Sequence, residues 1–372
     1  MLSLRVLRGS RPAALGRWAG VAAASAGTGL LLLSSLGWAL AHPEHGTSDA
    51  FIRLGWCVVP VAAAVQLAVA VGRAQPVDWP RAALSAAGLG RTGLIMLAAA
   101  TTSLVCAAGS VLAFLVFLTL RGDITGVPFD GVGPGLLAAG KPLPLAGAVT
   151  LLALVPAVSA LCTAARVRPA TAPARDMPRG LPWGVALTAI GLAVEVTATG
   201  GQALPLPSGL GSIPPGAAGG WAITSVGMTV AGPGLVFGSG RLLSSHHPGA
   251  LRLLAGRTLQ YESRAIGHPL GLLCATGSAA LAAYGLQHTS GHSLGPVTLF
   301  AASLIAACVA ASAALTLWQT RRDRDEALSA FHDMAASPNL LRAAVAVRAT
   351  ALVAALLPAT LLVAALSSAP TH

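Results

Sequence analysis

The chain has 372 residues, 55% of them hydrophobic and 9% charged, and its mean hydropathy of +0.74 excludes an ordinary soluble domain, whose charged fraction is about 25%. A net charge of +11 would suit a nucleic-acid surface, but the basic residues sit in short segments between long apolar runs, so the charge is a membrane-topology signal and no nucleic-acid partner is expected.

A span needs about 20 mostly apolar residues to cross the hydrocarbon layer, and only helices or closed barrels satisfy their backbone there. The apolar runs here are continuous rather than alternating, which selects helices. The expected fold is all-α and polytopic, with about nine transmembrane spans at 18–40, 54–72, 94–119, 144–165, 182–199, 221–240, 269–287, 297–317 and 343–366. With the N-terminus in the cytoplasm, nineteen of the 23 Lys and Arg fall in cytoplasmic segments. Arg53, Arg121 and Lys141 fall outside, and Arg348 lies within the last span. This asymmetry predicts a multi-pass protein of the cell membrane with a cytoplasmic N-terminus and an extracytoplasmic C-terminus.

In chain order, four N-terminal arginines precede an apolar run that ends Ala39-Leu40-Ala41. That ending has the form of a signal-peptidase site, but the run exceeds the roughly 7–15 residues of a signal peptide's apolar region, so it reads as an uncleaved anchor. The outer loop 41–53 holds His42 and His45 without a convergent third ligand, so no metal site is expected. All five cysteines, Cys57, Cys106, Cys162, Cys274 and Cys308, fall inside spans and read as small buried apolar residues.

The first inner segment carries helix punctuation. Asp78 can cap a short helix with Pro80 in its first turn, Gly88 or Gly90 can end it, and Thr92 can cap the third span. The outer loop 120–143 contains Gly135 to Lys141, the opening of a nucleotide-binding Gly-rich loop. Pro142 stands where Ser or Thr should hold magnesium, so no nucleotide site follows.

Residues 166–181 form a basic, Pro-rich inner linker, and 200–220 an irregular outer segment. Glu195 is the one acid inside an expected span. An intramembrane carboxylate costs a few kcal/mol and is a functional candidate for transport or proton coupling. It lies about a turn from the outer end of its span, within reach of the interface. Gly232-Pro233-Gly234 predicts a kink. Residues 241–268 pattern as an amphipathic helix at the inner leaflet ahead of the seventh span. The charge run Arg321-Arg322-Asp323-Arg324-Asp325-Glu326 then predicts a short structured element outside the bilayer, Ser337-Pro338 an N-cap and first turn of the ninth span, and Arg348 an inward-snorkelling side chain.

Ala83-Leu84-Ser85-Ala86 repeats as Ala327-Leu328-Ser329-Ala330, each between a span and a following apolar run. A parallel internal repeat of a three-to-four-helix unit is therefore expected. Residues 1–165 form the first copy with four spans, 166–240 a linker with two, and 241–372 the second copy with three.

The charge run Arg321 to Glu326 with Leu328 and Met334-Ala335-Ala336-Ser337 resembles the coupling element of the FtsX-like permease family of ABC transporters. Leu84, Gly88, Arg91 and Thr92 give a looser match. Ala335 stands where the family has a glycine, His332 and Asp333 interrupt the pattern, and the large extracytoplasmic domain of many members has no counterpart.

The resemblance implies a permease subunit, not an enzyme, that couples ATP hydrolysis by a separate cytoplasmic ABC ATPase to export or transmembrane signalling. It further implies pairing of permeases as homo- or heterodimers. By that analogy the ATPase docks on Leu84, Gly88, Arg91, Thr92, Arg321, Arg322, Asp323, Asp325, Glu326, Met334 and Ser337, and ATP is bound in the partner, so this chain needs no cofactor and no catalytic residue. Two alternatives stay open: a secondary transporter using Glu195, and a non-transporting membrane scaffold.

Overall fold

A computed structural model describes residues 12–43, 46–78, 90–123, 141–166, 178, 180–197, 204–205, 212–213, 215–245, 249–290, 295–332 and 338–368. The elements are α1 (Pro12–Ala41), α2 (Gly46–Trp56), α3 (Val58–Asp78), α4 (Arg91–Arg121), α5 (Leu145–Arg166), α6 (Gly180–Thr197), β1 (Leu204–Pro205), β2 (Ser212–Ile213), α7 (Pro215–Ser244), α8 (Ala250–Ser290), α9 (Pro296–His332) and α10 (Pro338–Ser368). The fold is all-helical apart from β1 and β2, which pair antiparallel with Leu204 opposite Ile213. Among the described residues, nine helices are long and apolar enough to cross a membrane. The chain is accordingly a multi-pass membrane protein.

Two compact units divide the chain, Met1–Pro169 with Pro296–Cys308, and Ala170–Gly295 with Val309–His372. In the first, α1 packs most extensively on α4, α4 on α5, and α3 against all three. Its core brings together Leu33, Phe117 and Leu152 with the small residues Ala26, Ala113 and Ala148. Serines cross-link the same helices: Ser25 Oγ donates to the Cys106 carbonyl at 2.7 Å, and Ser110 Oγ to the Leu152 carbonyl at 3.0 Å. Lipid tails are as apolar as leucine, so packing of small residues and interhelical hydrogen bonds are what hold such helices together.

The three basic residues expected outside are tied down near the end of α1. The Arg53 guanidinium lies 3.6 Å from the Trp38 ring centroid, Lys141 Nζ donates to the Leu40 carbonyl at 2.9 Å, and Arg121 Nη2 donates to the Lys141 carbonyl. Arg121 also pairs with Asp123 through Nε at 3.3 Å.

In the second unit α7 is the central helix, packed on α6 and α8, and α10 packs on α8. The seams are made by glycine. A Cβ at Gly240 would come within 2.7 Å of the Gly256 carbonyl oxygen, and one at Gly256 within 2.6 Å of the Gly240 carbonyl. Gly232 faces Gly267 and Gly271 of α8, while Gly184 and Gly191 of α6 face Ala231 and Thr224 of α7. Above and below these approaches, Val236, Leu259 and Ile266 form one buried cluster and Met228, Cys274, Leu356 and Val363 another.

Several local expectations are corrected. The outer loop 41–53 is largely helical as α2, with Asp49 in its first turn and Arg53 in its last, and a turn at Cys57 separates it from α3. Asp78 ends α3 instead of opening a new helix. Gly90 is the N-cap of α4 without a side-chain cap, so Thr92 is the second residue of the first turn and not the cap. The amphipathic segment and the seventh span are one helix, α8, of 41 residues that continues through Pro269. Likewise α9 runs 37 residues, so the charge run continues the eighth span instead of forming a separate short helix. At 1.5 Å per residue these helices are roughly 60 and 55 Å long, about twice the hydrocarbon thickness. Beyond the bilayer, backbone hydrogen bonding within a helix needs no apolar side chains, so charge does not end it. The start of α10 at Pro338 agrees with proline's preference for a first helical turn.

Candidate functional site

Glu195 lies two residues before the end of α6 and is 4% exposed. Trp221 Nε1 donates to its Oε1, and Ser367 Oγ donates to its Oε2 at 3.2 Å. Gly220 makes this possible: a Cβ there would stand 3.0 Å from the Glu195 Cβ and 2.9 Å from its backbone nitrogen. The glycine that lets α7 approach α6 also brings the next residue, Trp221, over the carboxylate.

Both donors to Glu195 also line a cavity of about 130 Å³ between α7, α8 and α10. Its wall includes Thr224, Ser278, Ala282 and Val363, so it is walled by small and apolar side chains with a few hydroxyl groups. Thr224 Oγ1 is buried and has no hydrogen-bond partner among the described residues. Toward the other end of the bundle the interior is filled by Met228, Cys274 and Leu356, then by Val236, Leu259 and Ile266.

A second buried carboxylate lies beyond those clusters. Glu262 of α8 is 6% exposed and pairs with Arg348 of α10, itself 8% exposed. Arg348 was expected to snorkel inward; it is retained within the unit by this ion pair. The two acids buried among the described residues of the unit therefore differ in kind. Glu262 has a guanidinium, whereas Glu195 has an indole N–H and a hydroxyl. The sequence contains no Lys or Arg between Arg179 and Arg241, between Arg264 and Arg321, or after Arg348. No such cation is therefore near Glu195 in the chain segments that make its end of the unit.

The residues expected to dock an ATPase are placed unevenly. Leu84, Gly88, Met334 and Ser337 lie outside the described residues. Arg91 and Thr92 open α4. Arg321 and Arg322 are exposed on α9, with the Arg322 guanidinium 4.6 Å from the Trp318 ring centroid, and Asp323, Asp325 and Glu326 follow on the same helix. Among the described residues no three His, Cys, Asp or Glu side chains gather where a metal ion could bind.

Sequence reasoning did not find Trp221, Ser367 or Glu262. Arg348 carried a usable signal, since an arginine within a span calls for a partner. No protein-family model, curated protein or solved structure matches the chain.

Proposed function

We propose that this multi-pass membrane protein is a transporter whose cargo or coupling ion is handled at the cavity walled by Trp221 and Ser367, the two donors to Glu195. One observation carries the reading: a buried carboxylate held by two neutral donors that also wall a cavity inside the helical unit. Burying such a group at membrane depth costs several kcal/mol unless it is paired or protonated, and a purely structural bundle would bury an apolar side chain there at no such cost. Small-molecule sites in helical bundles are apolar cavities between facing helices with a few polar groups that fix the ligand.

The test is reconstitution of the purified chain alone in proteoliposomes under an imposed pH gradient, with a panel of labelled small cations and neutral solutes. Gradient-driven flux that Glu195→Gln abolishes is the expected result. Flux that is identical in the variant, or absent for every solute, overturns the assignment.

A second reading has its own support. The pairing of the first span on the third in one unit recurs as the pairing of the seventh span on the ninth in the other, as a duplicated block requires. The charged end of α9 offers a helical lever to a partner protein. On this reading the chain is the permease subunit of an ABC transporter, resembling the FtsX-like family, and a cytoplasmic ATPase supplies the energy. Co-purification with an ATPase that is lost on charge reversal at Asp325 and Glu326 supports it; unchanged co-purification and activity remove the coupling role from those residues. Glu195→Gln would then leave ATP-driven activity largely intact.

A further inference from the structure

We infer that the cavity walled by Trp221 and Ser367 takes a neutral one-ring aromatic molecule, of the benzene or toluene class, and turns away ions and rings that carry a hydrogen-bond acceptor. This rests on reading the cavity as a binding site and adds the class of ligand.

The first observation is that the polar groups of the wall have no proton left to give. Trp221 Nε1 and Ser367 Oγ both donate to Glu195. Ser225 Oγ donates to the Trp221 carbonyl at 2.8 Å, and Ser278 Oγ to the Ala275 carbonyl at 2.9 Å. The Thr224 hydroxyl faces another helix: a Cβ at Gly191 of α6 would run into Thr224 Oγ1, and α6 supplies none of the described wall. A hydroxyl or an indole N–H carries a single proton. Backbone N–H groups within α7, α8 and α10 are bonded along their own helices. A ligand in the chamber therefore finds no donor among the described residues.

The second is charge. None of the described wall residues is charged, and Glu195 is not one of them. An ammonium or carboxylate group brought into the chamber leaves water and meets no counter-charge in the wall, a loss that hydroxyl lone pairs do not offset. An uncharged acceptor, such as a ring nitrogen, suffers the smaller loss of one hydrogen bond to water that nothing replaces. A hydrocarbon ring suffers neither.

The third is size and shape. The cavity is about 130 Å³, close to the roughly 150 Å³ of an apolar cavity that accepts benzene. Ala282 and Val363 give a ring apolar surface to lie on. The indole of Trp221 in the same wall favours an aromatic ring, which it meets in offset or edge-on contact, over an aliphatic one.

The experiment compares benzene, pyridine and benzylammonium by equilibrium dialysis against the full chain in nanodiscs at neutral pH, with empty nanodiscs subtracted. Benzene and pyridine have nearly the same shape and differ by one acceptor; benzylammonium adds a charge. Benzene is expected to bind saturably and about tenfold or more tightly than pyridine, the scale of one stranded acceptor, and benzylammonium to show no saturable binding. Ala282→Leu, which fills the chamber, should remove the benzene site. Ala279→Leu, at an exposed position of the same wall, repeats that test if the first variant fails to fold. Pyridine or benzylammonium binding as tightly as benzene, and lost in the leucine variants, overturns the ligand class and leaves the cavity standing as a site. Benzene binding that survives in both leucine variants, or saturable binding of none of the three, overturns this inference and the cavity reading together.

Discussion

Glu262 on α8 and Arg348 on α10 form a buried ion pair, 86 residues apart in sequence, that ties these two membrane helices together. The same helix α10 donates to Glu195 through Ser367. Arg348 and Ser367 stand about 28 Å apart along it at 1.5 Å per residue, close to the hydrocarbon thickness. α10 therefore engages a carboxylate at each end, one through a charge and one through a hydroxyl.

Breaking the ion pair from one side leaves a buried charge. Arg348→Met or Glu262→Leu alone is expected to lower stability by about 3–5 kcal/mol, whereas the double replacement should recover most of that loss, because an apolar pair of similar volume avoids the desolvation cost. Thermal unfolding of the three variants in detergent, monitored by helical circular dichroism, checks the cycle. Additive losses in the double variant would show that the two side chains do not act as a pair.

The glycine seam makes a second prediction with an internal control. Gly232→Ala puts a methyl group against the Gly267 backbone and should destabilise by about 1–3 kcal/mol, as over-packing does. Gly238 on the same helix has nothing within 4 Å of its would-be Cβ. Gly238→Ala should therefore be neutral or gain up to about 1 kcal/mol from helix propensity. Melting temperatures of the two variants should move in opposite directions or at least differ clearly.

The basic residues predict sidedness. In a background lacking the five native cysteines, Ser245→Cys, next to the inner arginines, should react with a membrane-impermeant thiol reagent from the cytoplasmic face. Lys141→Cys should react from the opposite face. Labelling of both from one side would overturn the assigned orientation.

At Glu195 the hydrogen-bond pattern separates structure from charge. Glu195→Gln keeps an acceptor for one of the two donors and is expected to change stability by less than about 1 kcal/mol. Glu195→Leu leaves Trp221 Nε1 and Ser367 Oγ unpaired and should cost about 1–3 kcal/mol. Equal melting temperatures for the two variants would mean that the donors find other partners.

Much of the membrane architecture was legible before any coordinates, because the bilayer imposes a length and an apolarity that α1, α4 and α5 meet plainly. Proline's lack of an N–H made the start of α10 at Pro338 readable as well. The lengths of α8 and α9 were not, since the charges at Arg257, Arg264 and Arg321 look like element boundaries although a helix outside lipid tolerates them. Gly232-Pro233-Gly234 lies inside one continuous helix, where Gly232 serves the close approach of α8 and Gly234 that of Leu181 on α6. Glu195 stood out as a lone intramembrane acid. Its partners did not, because Trp221 and Ser367 lie 26 and 172 residues away and no local pattern links them. Glu262 was hidden by its place in a segment that reads as interfacial.

The most direct measurement of the central claim is the reactivity of the cavity itself. Ser278→Cys, in the cysteine-free full chain reconstituted in vesicles, should react with a small impermeant thiol reagent from one face at rest, and an imposed pH gradient should change its rate in the presence of Glu195 but not with Glu195→Gln. A cysteine at Ser278 that stays unreactive from both faces, with and without the gradient, would contradict a transport site there.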